Sequence, residues 1–348
     1  MKVGIIGCGK IAQVRHIPEY FGNQFVEIGG YYDFNNTRAE EMADRFGGTA
    51  YLSIEDMLND ETIEAVSVCV ANNAHAEISI QALMKGKDVL CEKPMATSLE
   101  DCVKMVEAAQ KNKRKLMIGQ NQRFTPAHQK ARKLLKEGVI GKVLTFQTSF
   151  SHKGPETWCI DGGSKTWFFD KRRAAMGAMA DLGVHKTDLI QFLLGEKIVE
   201  VSAVLRTLDK KDSEGRFIQV DDNAVCTYTM ESGAVGTMSA SWTNYGQEEN
   251  STIIYGTEGV MKIYANPCYS LEIIAANGER ILYDIDQIQT NDNQTSSGVI
   301  DAFVGAVVEG KELMASGEEV LHAMRVVFAG IESNKLGKRI MIDREMNR

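Results

Sequence analysis

Glycines at positions 7 and 9 constrain this chain more than any other feature. They sit behind an apolar run from Val3 to Ile6 and ahead of a helical pattern. Gly7 permits a tight turn and Gly9 lets backbone approach a pyrophosphate. Ala12 is small enough for close helix–strand packing, and Cys8, Lys10 and Ile11 complete the segment. The amino end of the following helix offers free N–H groups and about half a positive charge to phosphates. Asp33 closes the next apolar run, VEIGGYYD, 21 residues after Ala12. That is near the ~20-residue offset of a carboxylate that binds an adenosine ribose hydroxyl. Strand, glycines, helix and acid in this order predict a dinucleotide site. The alternative is a plain glycine turn with an incidental Asp.

Asp33 also bears on which dinucleotide binds. A carboxylate accepts hydrogen bonds from both ribose hydroxyls and repels a 2′-phosphate, so NAD is favoured over NADP. Arg38 cuts the other way, because a guanidinium can hold a phosphate. Its alternative role is a solvated helix residue.

At 348 residues the chain exceeds what one core usually serves. Two domains are expected, spanning 1–122 and 123–348. Net charge is −8, with no block of Lys and Arg, which argues against nucleic acid and anionic membranes as partners. No stretch has the length or apolarity of a membrane span. The first strand must begin almost at Met1, which argues against a signal peptide. Seven cysteines lack CxxC spacing, and Cys8, Cys69 and Cys91 lie in or beside apolar runs. Reduced thiols and a cytoplasmic location are expected. His16, His75, His128, His152, His185 and His322 form no zincin-like cluster, so no metal site is expected.

Short apolar runs alternate with helical patterns over the first ~120 residues, implying a parallel sheet with crossover helices. Expected strands are Lys2–Gly7, Phe25–Asp33, Ala65–Val70, Asp88–Cys91 and Lys115–Gly119. Expected helices are Gln13–Tyr20, Arg38–Phe46, Ile54–Asn59, His75–Lys85 and Leu99–Lys111, the last capped by Ser98. After a helix at Pro126–Glu137, longer alternating runs begin at Lys142, Val199, Asn223 and Ala234. Turns follow at Gly256–Gly259 and at Asn277-Gly278. These runs predict a large open, mostly antiparallel sheet. Helices near Arg172–Leu194, Val299–Glu309 and Glu318–Asn334 would cover one face. The other would form a subunit interface, giving a homodimer or homotetramer. Leu208–Gln219 reads as an exposed charged loop.

Two segments carry candidate chemistry. In VLCEKP a strand runs into Glu92, Lys93 and Pro94, and strand carboxyl ends in a doubly wound sheet face the ligand crevice. In AMADLGVHKTD, the spacing of Asp181, His185 and Asp188 puts them on one helix face. The Asp, one turn earlier, would orient the ring or share a polyol hydroxyl. Gly177 and Gly183 would admit a ligand or backbone. A surface lysine and a self-satisfied Asp–His pair are the plainer readings.

Together GIIGCGKIA, EKP and DLGVH resemble the glucose–fructose oxidoreductase and inositol dehydrogenase family (Gfo/Idh/MocA). The likeness also takes in VANNAHAEISIQALMKGKDVLCEKP, NQRFTPAHQKARKLLKEGVIGKV and the GTEG turn. The resemblance implies an N-terminal Rossmann domain and a C-terminal α/β domain whose open sheet mediates oligomers. It implies oxidation or reduction of a ring hydroxyl or carbonyl on sugars and polyols. Lys93, Asp181 and His185 match the family's catalytic residues. Gly7, Gly9, Ala12 and Asp33 match its cofactor contacts, and Asn72 and His75 match a loop along the dinucleotide. Two departures stand out. Val70-Ala71-Asn72 replaces Thr-Pro-Asn, and Ala175 and Met176 replace glycines, which suggests a more apolar wall beside the substrate.

The expected reaction moves hydride between a secondary carbinol and NAD. Histidine starts near pKa 6.5, whereas lysine would need about three units of depression. His185 is therefore assigned as base and Lys93 as the ammonium that stabilises alkoxide character, with Asp181 orienting His185 or Lys93 and binding a neighbouring hydroxyl. Nicotinamide charge would depress Lys93 and exchange the roles. Arg123, His152, Lys153, Trp158, Lys165, Trp167 and Arg172 lie in segments near the pocket. Arg123, Trp158 and Trp167 are taken as substrate contacts. Two other readings remain: glycoside processing through a transient 3-keto sugar, and a non-catalytic dinucleotide sensor.

Overall fold

The computed structural model describes residues 1–288 and 296–342. Apolar runs in the first third of the chain form six parallel strands. These are β1 (Lys2–Ile6), β2 (Glu27–Tyr32), β3 (Thr49–Ala50), β4 (Ala65–Val68), β5 (Asp88–Cys91) and β6 (Leu116–Ile118). Their order is β3-β2-β1-β4-β5-β6, the doubly wound arrangement. Alternate residues feed two cores. Val66, Val68, Val89 and Cys91 pack under helices His75–Met84 and Leu99–Asn112, while Val3, Ile5 and Leu90 face the other way. Ser98 caps its helix as expected, its Oγ accepting the Asp101 N–H at 3.1 Å.

Register places the site. Ile6 pairs with Val68, and Val68 with Cys91. The next residues, Gly7, Cys69 and Glu92, therefore stand in a row at the carboxyl edge. The strand order reverses between β1 and β4, which opens a crevice at that edge.

The second sheet has nine strands: β7 (Val143–Ser151), β8 (Ile198–Arg206), β9 (Asn223–Met230), β10 (Val235–Ser241), β11 (Thr252–Gly256), β12 (Gly259–Ile263), β13 (Leu271–Ala275), β14 (Arg280–Tyr283) and β15 (Ile340–Met341). The order is β14-β13-β12-β11-β7-β10-β9-β8-β15. Every pairing is antiparallel except that of β7 with β10. Phe146, Val201, Tyr228 and Met238 point into the core beneath helices Val184–Leu194 and Gly317–Leu336. Val204, Val225 and Val235 are exposed on the other face.

Three expected helices differ. The one over Gln13–Tyr20 begins as a π-helical turn at Ala12–His16 and continues as an α-helix at Ile17–Gly22. The one over Arg172–Leu194 is broken into a short turn at Lys171–Ala174, a π-helical turn at Met179–Gly183 and an α-helix from Val184. Ala175 between them has φ +64°, a left-handed backbone that glycine adopts more easily. The helix Val299–Glu309 does not cover the second sheet. Val299, Ile300, Phe303 and Val304 instead share a core with Val3, Ile5, Ala12 and Tyr20. The chain thus returns to its first domain after building the second.

Candidate active site

Carboxyl ends of the first sheet and loops of the second enclose a crevice of about 830 Å³. At one end lie Gly7, Gly9, Lys10, Ile11 and Asp33. Gly7 has φ +93°, and a Cβ there would sit 2.6 Å from the Cys69 carbonyl oxygen, so no side chain fits. A Cβ at Gly9 would meet nothing within 4 Å, which leaves its backbone open to the crevice. Ala12 is buried against the sheet, the packing role its size predicts. Asp33 is fixed by two backbone donors, Cys8 N–H at 2.7 Å and Asn35 N–H at 2.8 Å. Arg38 is not simply solvated. Its Nη2 donates to Asp161 at 2.9 Å, and Nη1 lies 3.8 Å from Asp33.

Asn72 and His75 line the middle of the crevice, but both are committed to backbone. Asn72 Nδ2 donates to the Ala174 carbonyl at 3.0 Å. The His75 ring nitrogens lie 2.7 Å from the Pro94 carbonyl oxygen and 3.0 Å from that of Val70. They tie the strand-end loops together. Glu92 is buried, its Oε1 2.9 Å from His16 Nε2 and 3.6 Å from Arg15. Its Oε2 accepts the Lys93 N–H at 3.1 Å. Burial pushes its pKa up, but the hydrogen bond and charge of His16, with Arg15 and Lys93, outweigh this and hold it at about 2.

The two domains meet at Lys93. Its Nζ donates to Asp181 Oδ1 at 2.8 Å and to the Asp181 carbonyl at 3.0 Å. The other carboxylate oxygen accepts the Trp242 indole N–H at 3.0 Å. Burial opposes the Asp181 charge, yet Lys93, His152 and these hydrogen bonds hold its pKa below the ordinary carboxylate value. Of the two partners expected for Asp181, the structure supplies Lys93, and no hydrogen bond joins Asp181 to His185. In a π-helical turn, residues four apart no longer stack as in an α-helix. His185 lines the crevice, and its Nδ1 is buried without a hydrogen-bond partner among the described residues. Burial, then the Lys93 charge, lowers its pKa well below the usual range, so the ring is neutral.

His152, which sequence reasoning placed only near the pocket, lies against the same carboxylate. Its Nδ1 accepts the Gly154 N–H at 2.9 Å, so in the neutral ring Nε2 carries the proton. That Nε2 lies 3.8 Å from Asp181. Asp221 was missed entirely. Its carboxylate accepts the N–H groups of Gly177 and Met179 at 2.8 and 2.7 Å, anchoring the turn that carries Asp181. Gly177 is needed there, since a Cβ would overlap the Asp221 carbonyl at 1.7 Å. No local pattern announces Asp221 or Trp242, because both act across more than forty residues.

Trp158 and Trp167 line the crevice, linked through Phe168 at ring separations of 5.2 and 3.9 Å. Trp158 Nε1 is buried without a partner among the described residues. Arg123 is not a crevice residue. Its guanidinium grips Asp188 with two bonds of 2.6 Å and Glu319 with one of 2.7 Å. That pairing also removes Asp188 from the site. Lys153, Lys165 and Arg172 do not line the crevice, whereas Arg173 does. Ala175 and Met176 lie off its wall, so the expected apolar surface is absent there. Gln122 and Asn250, neither expected, close the far end and are joined at 3.2 Å.

Known proteins resemble both domains of this chain. A family model described as an oxidoreductase family with an NAD-binding Rossmann fold matches residues 1–120. A GFO/IDH/MocA C-terminal domain model matches residues 128–262. Levoglucosan dehydrogenase of Pseudarthrobacter phenanthrenivorans is 32% identical over 65% of this chain, but the match spans only 62% of that protein. Inositol 2-dehydrogenase of Rhizobium meliloti is 25% identical over 98% of this chain and 99% of its own. Among solved structures, a levoglucosan dehydrogenase complexed with NADH and L-sorbose superposes with a TM-score of 0.85 at 25% identity, covering 99% of both chains.

Proposed function

This chain belongs to the Gfo/Idh/MocA family of NAD-binding oxidoreductases, and on that premise we propose that it moves hydride between a secondary hydroxyl of a sugar or cyclic polyol and NAD. The observation that carries the reading is the contact of Lys93 with Asp181 in a crevice shared with His185 and continuous with Gly9 and Asp33. The crevice fits the cofactor: an open backbone at Gly9, a fixed carboxylate at Asp33 and a helix amino end between them. When bound, NAD supplies the nicotinamide carbon that accepts the hydride.

Chain residues do the rest. Lys93 donates to the carbinol oxygen and stabilises its developing negative charge. His185, neutral, takes the hydroxyl proton as the carbinol hydrogen leaves with its electron pair. Asp181 fixes Lys93 and stays ionised. Trp158 offers its face to the ring's C–H groups. The same reading extends to assembly as a homodimer or homotetramer through the open face bearing Val204, Val225 and Val235. It also extends to a reducing, cytoplasmic location, since all seven cysteines are unpaired.

The test is a panel of sugars, inositols and sugar phosphates incubated with the protein and NAD, followed as NADH absorbance. Substrate-dependent NADH formation that Lys93→Met loses is the expected result. A panel that yields no NADH, with NADH-binding protein in hand, sinks the dehydrogenase reading.

A further inference from the structure

Asp161 makes a contact that the mechanism does not use. It lies in the connection that leaves β7 in the second domain and crosses to the helix Asn36–Phe46 of the first. There it accepts a hydrogen bond from Arg38 Nη2 at 2.9 Å. The other terminal nitrogen of the guanidinium, Nη1, lies 3.8 Å from Asp33. Arg38 is thus held between two carboxylates, one from each domain. All three residues line the crevice at its ribose end.

Charge and geometry give this clasp a consequence. Arg38 is the group on this rim best suited to a 2′-phosphate, because its planar fork matches phosphate oxygens. With Nη2 turned to Asp161 and Nη1 near Asp33, its fork is not presented to such a phosphate. Asp33 cannot yield, being fixed by two backbone N–H groups. A phosphate monoester of about −1.5 to −2 charge entering here would face both carboxylates. The ribose hydroxyls of NAD raise no such conflict and find an acceptor in Asp33. The Arg38 side chain is 18% exposed and that of Asp161 64%. A pair this exposed adds little to stability, so its effect is on which ligand is accepted.

We propose that Asp161, reaching from the second domain, acts with Asp33 to hold Arg38 and thereby sets selectivity against 2′-phosphorylated dinucleotides. Asp161 is a specificity residue that acts through Arg38. The proposal rests on the dinucleotide site described above and deepens it.

Fluorescence titration of the intact protein with NADH and with NADPH provides the test, without turnover. Asp161→Asn keeps the shape and removes the charge. It is expected to tighten NADPH binding about tenfold while changing NADH binding less than about threefold. In an Arg38→Ala background, the same change should favour NADPH over NADH clearly less than it does when Arg38 is present, because only the direct repulsion by Asp161 is then relieved. Equal changes for the two nucleotides in Asp161→Asn would show that Asp161 only tethers its loop, and overturn the proposal. A gain in NADPH preference of the same size in Arg38→Ala overturns the role of the guanidinium. Wild-type protein that binds neither nucleotide removes the dinucleotide site itself and the proposal with it.

Discussion

Lys93 and Asp181 stand 88 residues apart in sequence and 2.8 Å apart in space, each contributed by a different domain. The pair joins the two domains inside the crevice. Replacing Lys93 with Met should cut turnover by at least ~10³-fold while leaving NADH titration intact. It also strands a buried carboxylate, at a cost of about 3 kcal/mol. Adding Asp181→Asn should recover the lost Tm without recovering turnover. Calorimetry and steady-state rates on the two variants separate these effects, and normal turnover by Lys93→Met would remove the lysine from the mechanism.

The pH profile reports on His185. Its pKa is depressed from 6.5, so the neutral form persists as pH falls through the neutral range. Oxidation needs that neutral form, and the acid limb of kcat/KM should therefore lie below pH 6.5. His185→Asn should lower kcat by about 10²- to 10⁴-fold and abolish this limb. A limb unchanged in that variant would assign the base elsewhere.

Arg123 is a stability residue in this structure. Arg123→Ala would leave Asp188 buried without its counter-ion and should cost at least about 3 kcal/mol. Substrate KM of the folded protein should change by less than about threefold, because the guanidinium does not line the crevice. A large rise in KM with an unchanged Tm would restore it to the substrate site.

Lys186, next to His185, is wholly buried, and its Nζ has no hydrogen-bond partner among the described residues. Burial pushes its pKa down to about 7, against the pull of Glu249 and Glu248. The unfolded chain holds this proton up to about pH 10.4, so the folded state carries a penalty that is complete below pH 7 and fades as pH rises toward 10.4. Lys186→Met should raise stability by on the order of 2–4 kcal/mol at pH 7, and by less at pH 9. Denaturant midpoints at the two pH values check both the sign and the trend.

Local chemistry determined the elements and the glycine end of the crevice. Gly7 needs a left-handed backbone, Ser98 caps its own helix, and alternation or helical spacing tells which side of a segment is buried. Each is decided by residues within a few positions of one another. The pairing of side chains across the molecule was decided only by the tertiary structure. Arg123 looked available and is consumed by Asp188 and Glu319. His152 was placed only near the pocket, and Asp221 and Trp242 looked ordinary, yet all three act at or beside Asp181. Asp181 had either His185 or Lys93 as its expected partner, and a π-helical turn set the carboxylate on Lys93. Such partners are chosen by how two sheets and their loops close on one another, and no period along a single strand or helix carries that information.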